Sequence, residues 1–302
     1  MSIIAVIGSS NTDMVVKAER LPVPGETVSG GVFLMNPGGK GANQAVAAAR
    51  LGGNVIFITK TGNDLFGRQS IELYRTEGID TKHVFSDPDR LSGVALIAVD
   101  AHGENCILVA PGANATLSVA DVEQARETIE SADYLLMQLE TPLATVEYAA
   151  TLASAKGCKV ILNPAPAQAL TPALLKTLNI IIPNRTEAEL LTGIKISDNL
   201  SRRAAADCLS AKGVENVIIT LGAEGAFVKE GNVYYEIAAE EVRAVDTTAA
   251  GDTFCGALCV GISEGMILAD AVKFACHAAA ISVTRMGAQA SIPCRRELTV
   301  DY

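Results

Sequence analysis

Short apolar runs alternate with helix-like segments along most of this 302-residue sequence. Runs such as IIAVIG (3–8), DYLLMQLE (133–140) and NVIITLG (216–222) are typical of buried β-strands. Between the strand-like runs lie segments such as GANQAVAAARLG (41–52), which has helical spacing and stops at glycine. This alternation predicts an α/β fold, because strands connected through helices form a mostly parallel sheet with helices on both faces.

Two stretches interrupt the alternation. Residues 14–35 combine Pro and Gly turns with β-branched residues, and residues 93–110 resemble two strands joined by a polar turn. We expect both stretches to form a small second β-sheet, inserted at one end of a single domain that spans residues 1–302. Such a sheet would be a lid over a site or a contact between subunits, and the sequence alone favours neither.

Charge and cysteine content restrict the partners and the compartment. The chain carries 24 basic and 34 acidic residues, a net charge of −10 at pH 7. We therefore expect neither nucleic acid nor an anionic membrane as its main partner. No apolar stretch reaches the roughly 18 residues of a membrane span. Seven cysteines without a C-x-x-C spacing predict free thiols and a cytoplasmic location.

The stretch AVDTTAAGDTFCGA (244–257) places two carboxylates and a glycine turn at the start of a helix expected to be buried. The first N–H groups of a helix have no partner inside it and attract an anion such as a polyphosphate. A carboxylate at Asp252 would repel that anion unless it accepts a proton from a hydroxyl that attacks phosphorus. Taken alone, an Asp in a first helical turn is more often only a helix-stabilising charge.

Polar residues or glycines follow several other predicted strands, at the edge where open α/β sheets bind ligands. They are Asn11 and Asp13 in GSSNTD, Glu140 in QLE, Asn184 and Glu187 in PNRTE, and the glycines of TLGAEG (220–225). A glycine-rich turn, NPGGKGANQA (36–45), enters a helix but matches neither the P-loop nor the dinucleotide-binding pattern. Together these strand ends are what a site for a nucleotide and a polyol would need.

The conjunction of NTD, GGKGANQA, MQLE, PNRTEAELLTG and AVDTTAAGDTF resembles the ribokinase family of carbohydrate kinases, and matching stretches run from residue 8 to about residue 293. The resemblance implies a three-layer α/β/α body and a small β lid that pairs two subunits as a homodimer. It also implies transfer of the γ-phosphate of ATP to the 5-hydroxyl of ribose. The implied cofactors are Mg²⁺ and a monovalent cation, usually K⁺.

The same resemblance implies roles for residues at matching positions. Asp252 would be the general base, within an anion hole formed by the N–H groups of Ala249, Ala250, Gly251 and Asp252. The sugar would be held by Asn11, Thr12, Asp13, Gly39, Lys40, Gly41, Ala42, Asn43 and Glu140. The nucleotide would contact Asn184, Thr220, Leu221, Gly222, Ala223, Glu224, Gly225 and Cys276, and Glu187 would help to place magnesium. The monovalent cation would lie beside Asp246, Thr248, Ser282, Arg285, Gly287 and Ser291, mostly against backbone carbonyls.

Two positions depart from the family pattern. Where the family often has a histidine near the adenine, this sequence has Cys276 followed by His277, and either would face the base. Arg185 stands where an acidic residue is common, and we expect it to face solvent. The nearest alternative function is a kinase of the same superfamily that acts on deoxyribose, fructose or a nucleoside. A non-catalytic sugar-binding protein is the alternative of a different class.

Overall fold

The computed structural model describes residues 2–298 and contains strands of two β-sheets. In chain order these strands are β1 (Ile3–Ile7), β2 (Asn11–Lys17), β3 (Val32–Gly38), β4 (Asn54–Gly62), β5 (Asp80–Asp87), β6 (Gly93–Val99), β7 (Asn105–Ala110), β8 (Tyr134–Met137), β9 (Lys159–Leu162), β10 (Ile180–Ile181), β11 (Asn216–Thr220), β12 (Ala226–Glu230) and β13 (Val233–Ile237). The helices are α1 (Lys40–Arg50), α2 (Leu65–Thr76), α3 (Val119–Gln124), α4 (Arg126–Ser131), α5 (Leu143–Ala155), α6 (Pro172–Leu175), α7 (Arg185–Thr192), α8 (Asn199–Ala211), α9 (Ala250–Ser263) and α10 (Leu268–Ser282).

The large sheet is mostly parallel, as predicted. Its strand order is β13-β12-β11-β10-β9-β8-β1-β4-β5, and all the pairs from β11 to β5 are parallel. The antiparallel exceptions are β12 and β13, which extend the sheet beyond β11. Consecutive parallel strands require crossover connections, which the intervening helices provide.

Helices cover both faces of this sheet and bury its apolar side chains. Along β1, Ile4 and Val6 pack into one hydrophobic cluster, whereas Ala5 and Ile7 pack into another. The first cluster contains side chains from α1, α9 and α10, and the second contains side chains from α3, α5 and α8. Because side chains of a strand alternate between faces, a strand buried on both sides is apolar throughout. The three-layer α/β/α arrangement is therefore confirmed.

The small sheet has the strand order β3-β2-β6-β7, with β2 and β6 parallel and the other neighbours antiparallel. It spans residues 11–38 and 93–110, so its first part is wider than the predicted 14–35. The chain leaves β1 at Ile7 and enters β2 only four residues later. Asn11 and Asp13 therefore lie on a strand of the small sheet, although we expected them in the loop that follows β1.

The cysteines and the composition of the helices bear on cross-linking and on membrane insertion. All seven cysteines are free thiols, so no disulfide constrains the fold. Among the described helices, none combines the length and apolar composition that a membrane crossing requires.

Candidate active site

Glycines bring the N-terminus of α1 against the end of β1. A Cβ on Gly41 would lie only 2.5 Å from the Gly8 carbonyl carbon, so no larger residue fits there. Gly39 adopts a φ of 89°, a conformation that favours glycine. The N–H groups of Gly41 and Ala42 donate to Ser9, at 3.3 Å and 2.9 Å. These two residues were predicted to contact the sugar, and their N–H groups fix the helix to the β1 loop.

Glu140 caps α1 from a separate strand end. Its Oε2 accepts hydrogen bonds from the Lys40 N–H at 3.0 Å and from the Ser9 hydroxyl at 2.5 Å. Gly39, at the N-cap position, has no side chain to supply this bond. Within residues 2–298 the Oε1 atom has no hydrogen-bond partner, so it remains available to a ligand hydroxyl.

The position of Asn11 depends on Asn114, which our sequence reasoning missed. The Asn114 amide accepts from the Ser10 N–H at 2.8 Å and donates to Asn11 Oδ1 at 2.7 Å. A Cβ on Gly93 would lie 2.2 Å from both amide side chains, so this contact requires glycine there. Asn11 therefore has its oxygen engaged and its Nδ2 free to donate to a ligand. No local sequence signal identifies Asn114, because its partners lie about a hundred residues earlier.

The Asp13 carboxylate has no hydrogen-bond partner among the described residues. It lies against Gly38 of the neighbouring strand, where a Cβ would be 2.2 Å from its Oδ2. Burial raises the pKa of Asp13 to about 6, and the negative charges of Glu140 and Asp252 contribute to the same shift. A carboxylate kept without protein donors is suited to accept hydrogen bonds from ligand hydroxyls.

The start of α9 presents backbone N–H groups to a cavity. Ala249 adopts a φ of 60° and is the one non-glycine residue with positive φ in residues 2–298. The Ala250 N–H donates to the Thr247 carbonyl at 3.3 Å, so it is engaged, although we expected it in the anion hole. The N–H groups of Gly251 and Asp252 have no acceptor among the described residues. A Cβ on Gly251 would meet nothing within 4 Å, so the space above this glycine is open.

The Asp252 carboxylate is buried, and two amides of α1 hold it. Asn43 Nδ2 donates to its Oδ2 at 2.9 Å, and Gln44 Nε2 donates to its Oδ1 at 2.9 Å. Asn43 was predicted to hold a sugar hydroxyl; its Nδ2 contacts Asp252, and its Oδ1 has no partner among the described residues. Gln44 was not among the predicted site residues. The two helices thus meet through this carboxylate.

Two adjoining cavities surround the start of α9. The first, of about 210 Å³, is lined by Lys40, Asn163, Ala165, Ile182, Asn184, Glu187, Thr220, Thr247, Ala249, Ala250, Gly251, Asp252 and Cys255. The second is an apolar cleft of about 520 Å³. Both cavities include Thr220, Thr247, Ala250 and Gly251 in their walls, so they lie side by side at the start of α9.

The smaller cavity contains charges of both signs. Burial disfavours the ammonium of Lys40, but Asp252 and Glu140 together raise its pKa above the usual value. Burial raises the pKa of Glu187, whose carboxylate also accepts from the Asn184 N–H at 2.8 Å. Asn184 and Glu187 form a capping box at the start of α7, and both also line the cavity. These two residues therefore stabilise the helix and contribute to the cavity wall at the same time. A cavity with one cation and a free pair of N–H groups is suited to bind phosphate.

Part of the predicted nucleotide segment lines the apolar cleft. Gly222, Ala223 and Gly225 lie on its wall. Leu221 is buried and is not part of that wall, and the Glu224 carboxylate forms ion pairs with Arg185 and Arg202. Arg185, which we expected to face solvent, has 40% of its side chain exposed and pairs with Glu224 at the surface. The backbone of this turn faces the cleft, while its one carboxylate is held outside it.

Cys276, and not His277, lies on the wall of the cleft. Burial raises the pKa of Cys276 to about 12, so this residue is a neutral thiol beside the cleft. The His277 ring instead contacts the Glu240 carboxylate at 2.5 Å through Nδ1. Apolar groups such as Phe254 and Val283 form much of the remaining wall and suit a flat, uncharged ring, and Glu240 and Glu241 also lie on this wall.

The residues predicted around the monovalent cation connect two loops. Asp246 Oδ1 accepts from the Thr248 N–H at 2.9 Å, and its Oδ2 accepts from the Gly287 N–H at 2.9 Å. Although burial opposes it, these hydrogen bonds lower the pKa of Asp246. The hydroxyls of Ser282 and Ser291 donate to backbone carbonyls of Ala279 and Ala288.

Arg285 forms an ion pair with Glu297 at 2.6 Å. No group of three His, Cys, Asp or Glu side chains within residues 2–298 is arranged to hold a metal.

Comparison with known proteins identifies relatives along the whole chain. A family model described as pfkB family carbohydrate kinase matches residues 1–295. A ribokinase from Haemophilus influenzae is 48% identical over 294 residues, which cover 97% of this chain and 96% of the relative. A deoxyribokinase from Salmonella typhi is 40% identical over 291 residues, with coverage of 96% and 95%. A solved structure of Arabidopsis thaliana ribokinase with ribose and ATP has a TM-score of 0.92 and 30% identity, and covers 98% of this chain and 97% of its own.

Proposed function

The chain belongs to the pfkB family of carbohydrate kinases, and from this premise we propose that it transfers the γ-phosphate of ATP to the 5-hydroxyl of ribose. The observation that carries the proposal is the Asp252 carboxylate at the start of α9, beside the N–H groups of Gly251 and Asp252, which have no acceptor in residues 2–298. A phosphoryl group held by these N–H groups would meet a sugar hydroxyl whose proton Asp252 accepts. The ribokinases among the relatives favour ribose, and the deoxyribokinase makes deoxyribose the nearest competitor.

The sugar is proposed to bind between the small sheet and the starts of α1 and α9. Asn11 offers an amide donor, while Asp13 and Glu140 Oε1 offer acceptors that have no hydrogen-bond partner within residues 2–298. A polyol with several neighbouring hydroxyls needs both kinds of group. Lys40, on the wall of the smaller cavity, carries a positive charge toward the phosphate that is transferred.

The nucleotide is proposed to extend from the apolar cleft into the smaller cavity. The adenine would pack beside Phe254 and Cys276, and the phosphates would continue past Thr220 toward Gly251. The wall that the two cavities share supports this path, because it lies between a mostly apolar ring site and N–H donors that have no acceptor among the described residues. Glu187, an oxygen donor on the wall of the cavity, would help to hold the Mg²⁺ that accompanies ATP.

The loops joined by Asp246 are proposed to hold K⁺. Asp246 links Thr248, just before α9, to Gly287, so this junction supports the loop that carries the anion site. A monovalent cation bound there would supply positive charge and hold the loop in shape. Replacing K⁺ by a tetraalkylammonium ion should lower turnover and remove any thermal stabilisation that K⁺ gives. Equal unfolding temperatures and equal rates in the two salts would contradict the assignment.

A second copy of the chain is the proposed partner of the small sheet. Its strands expose Val32, Phe33, Met35, Leu96, Ile107, Leu108 and Val109. An exposed apolar sheet surface of this kind marks an interaction site, and an isologous pair would cover the same surface on both subunits. We also propose that the protein works in the cytoplasm, since seven free cysteines suit a reducing compartment.

The function is tested by measuring ADP release with ATP, Mg²⁺ and K⁺ against ribose, 2-deoxyribose, fructose, adenosine and xylulose. We expect ribose to give the largest kcat/KM. Asp252→Asn should retain sugar binding, measured by calorimetry, and lose roughly 10²–10⁴-fold in kcat, because general-base catalysis contributes about that much. A preference for another acceptor would change the substrate assignment and leave Asp252 in place. Sugar binding without turnover by the unmodified protein would favour the non-catalytic alternative.

A further inference from the structure

The Asp252 carboxylate receives one of its two amide hydrogen bonds from Gln44, a fully buried residue of α1. Gln44 Nε2 donates both to Asp252 Oδ1, at 2.9 Å, and to Asn163 Oδ1, at 3.1 Å. We infer that Gln44 is a positioning residue, which aims the Asp252 carboxylate at the attacking hydroxyl. The inference rests on the proposed role of Asp252 as general base and deepens it.

The backbone fixes which end of the Gln44 amide faces Asp252. Asn163 Nδ2 donates to the Ile182 carbonyl at 2.8 Å, and a carbonyl can only accept. Asn163 must therefore present its oxygen to Gln44, which in turn must present its nitrogen. A reversed Gln44 amide would place oxygen against the oxygens of Asp252 and Asn163. The hydrogen bonds that link Ile182, Asn163, Gln44 and Asp252 can thus run in only one direction. That direction points the Gln44 Nε2 donor at Asp252.

The other end of the Gln44 amide is fixed as well. Its Oε1 accepts from Gln138 Nε2 at 2.6 Å. Gln138 is itself fully buried, and a Cβ on Gly8 would lie 2.1 Å from its Oε1, so glycine is required to make room for it. With both ends of its amide engaged, Gln44 has no freedom to rotate away from Asp252.

The residues that hold the Gln44 amide in place lie just after the carboxyl ends of adjacent parallel strands. Ile182 follows β10, Asn163 follows β9 and Gln138 follows β8, and these three strands are neighbours in the large sheet. Asp252 itself lies on α9, just after the positive-φ residue Ala249. The hydrogen bonds through Gln44 therefore hold the Asp252 carboxylate of α9 in a fixed position relative to the rigid sheet. A reacting group is positioned precisely when rigid elements hold it in this way.

Gln44→Met is the primary test, because it keeps the volume and removes both hydrogen-bonding groups. We expect kcat to fall about 10–100-fold, the order expected when a reacting group is misplaced. The KM values for ribose and ATP should change by less than about threefold, since neither substrate loses a contact. The acidic limb of the kcat profile should move to higher pH, because a carboxylate deprived of a donor is protonated more easily.

Thr59→Val is the matched control for removing a buried polar group. The Thr59 hydroxyl is buried without a partner among the described residues, and it lies on β4, which carries none of the site residues described above. This variant should keep the unmodified kcat and pH profile. Thermal unfolding of every variant is measured alongside. If Gln44→Met does not fold, the Gln138→Met variant tests the inference in its place. This substitution removes a hydrogen bond that holds Gln44 and leaves Asp252 untouched. It should also lower kcat, by a smaller factor.

The outcomes separate this inference from the proposed function. Loss of kcat together with the pH shift supports the positioning role. Unchanged kcat in a folded Gln44→Met protein overturns it, as does a loss of kcat that follows stability while the pH profile stays fixed. If Asp252→Asn is inactive in either of these two cases, the general base stands and only the role of Gln44 is rejected. If Asp252→Asn is active, the proposed function itself fails at that residue.

Discussion

At the scale of single residues, the site contains a carboxylate, Asp13, that has no hydrogen-bond donor in the described part of the chain. Burial and two neighbouring negative charges raise the pKa of Asp13 to about 6, above its usual value of 3.8. The folded protein therefore binds this proton more tightly than the unfolded chain does. The contribution of Asp13 to stability is consequently greatest below pH about 4 and is lost as the pH rises through about 6.

Asp13→Asn should have opposite effects on binding and on stability. Removing the charge should raise the unfolding temperature at neutral pH, because the uncompensated carboxylate is no longer buried. The KM for ribose should rise roughly tenfold to a hundredfold, the magnitude of a lost hydrogen bond to a charged group, while the KM for ATP stays nearly constant. In the unmodified protein, the ribose KM should increase as the pH falls through about 6. A ribose KM independent of pH, or an equal rise for ATP, would remove Asp13 from the sugar site.

At the scale of elements, the start of α9 shows a glycine that the fold does not require. Gly251 has no positive φ, and a Cβ there would meet nothing within 4 Å. The two reasons for which a protein usually needs glycine, an unusual backbone and a close neighbour, are both absent among the described residues. The remaining reason is close approach of a ligand to the backbone.

Gly251→Ala should therefore stabilise the protein and impair the reaction. Alanine favours the helix over glycine by up to about 1 kcal/mol, so the unfolding temperature should not fall. A methyl group above the free N–H groups should lower kcat by at least about tenfold, since loss of a single oxyanion donor costs about 10²–10³-fold. Ser263→Ala, at the other end of α9, is the control that changes helix propensity without reaching the cavity. Full activity in Gly251→Ala would contradict the anion site.

At the scale of the whole molecule, the small sheet leaves an apolar surface uncovered. Leu108, on its edge strand β7, is 73% exposed. Leu108→Asp should convert a dimer into a monomer in sedimentation experiments, because a charge at the centre of an apolar interface is costly to bury. Leu200→Asp is the matched control, since Leu200 is 76% exposed but lies on α8. A monomeric unmodified protein, or an unaffected Leu108→Asp dimer, would leave the sheet with only the role of a lid.

The parallel sheet was predictable because its signal is local: each buried strand is apolar throughout and each helix has its own periodicity. The strand-end polar residues could be found by the same logic. The side chains that form hydrogen bonds with these strand-end residues could not be predicted. Asn114 and Gln44 reach their partners across 103 and 208 residues, and nothing in their own neighbourhood marks them. The sequence also did not reveal which backbone N–H groups are available to a ligand, since those of Ala250 and Gly41 donate to acceptors within the protein.

The close contact of α1 and α9 also has a consequence for biosynthesis. A Cβ on Gly256 would lie 2.6 Å from the Ala47 Cβ, so the two helices touch almost backbone to backbone, and Asn43 and Asp252 are 209 residues apart. At translation rates of about 5–20 residues per second, α1 leaves the ribosome roughly 10–40 s before α9 is made. During that time the nascent chain contains most of the large sheet. It still lacks Asp252 and α9, the helix that covers α1. Ribosomes that stall before α9 would therefore release chains that are inactive and need chaperones.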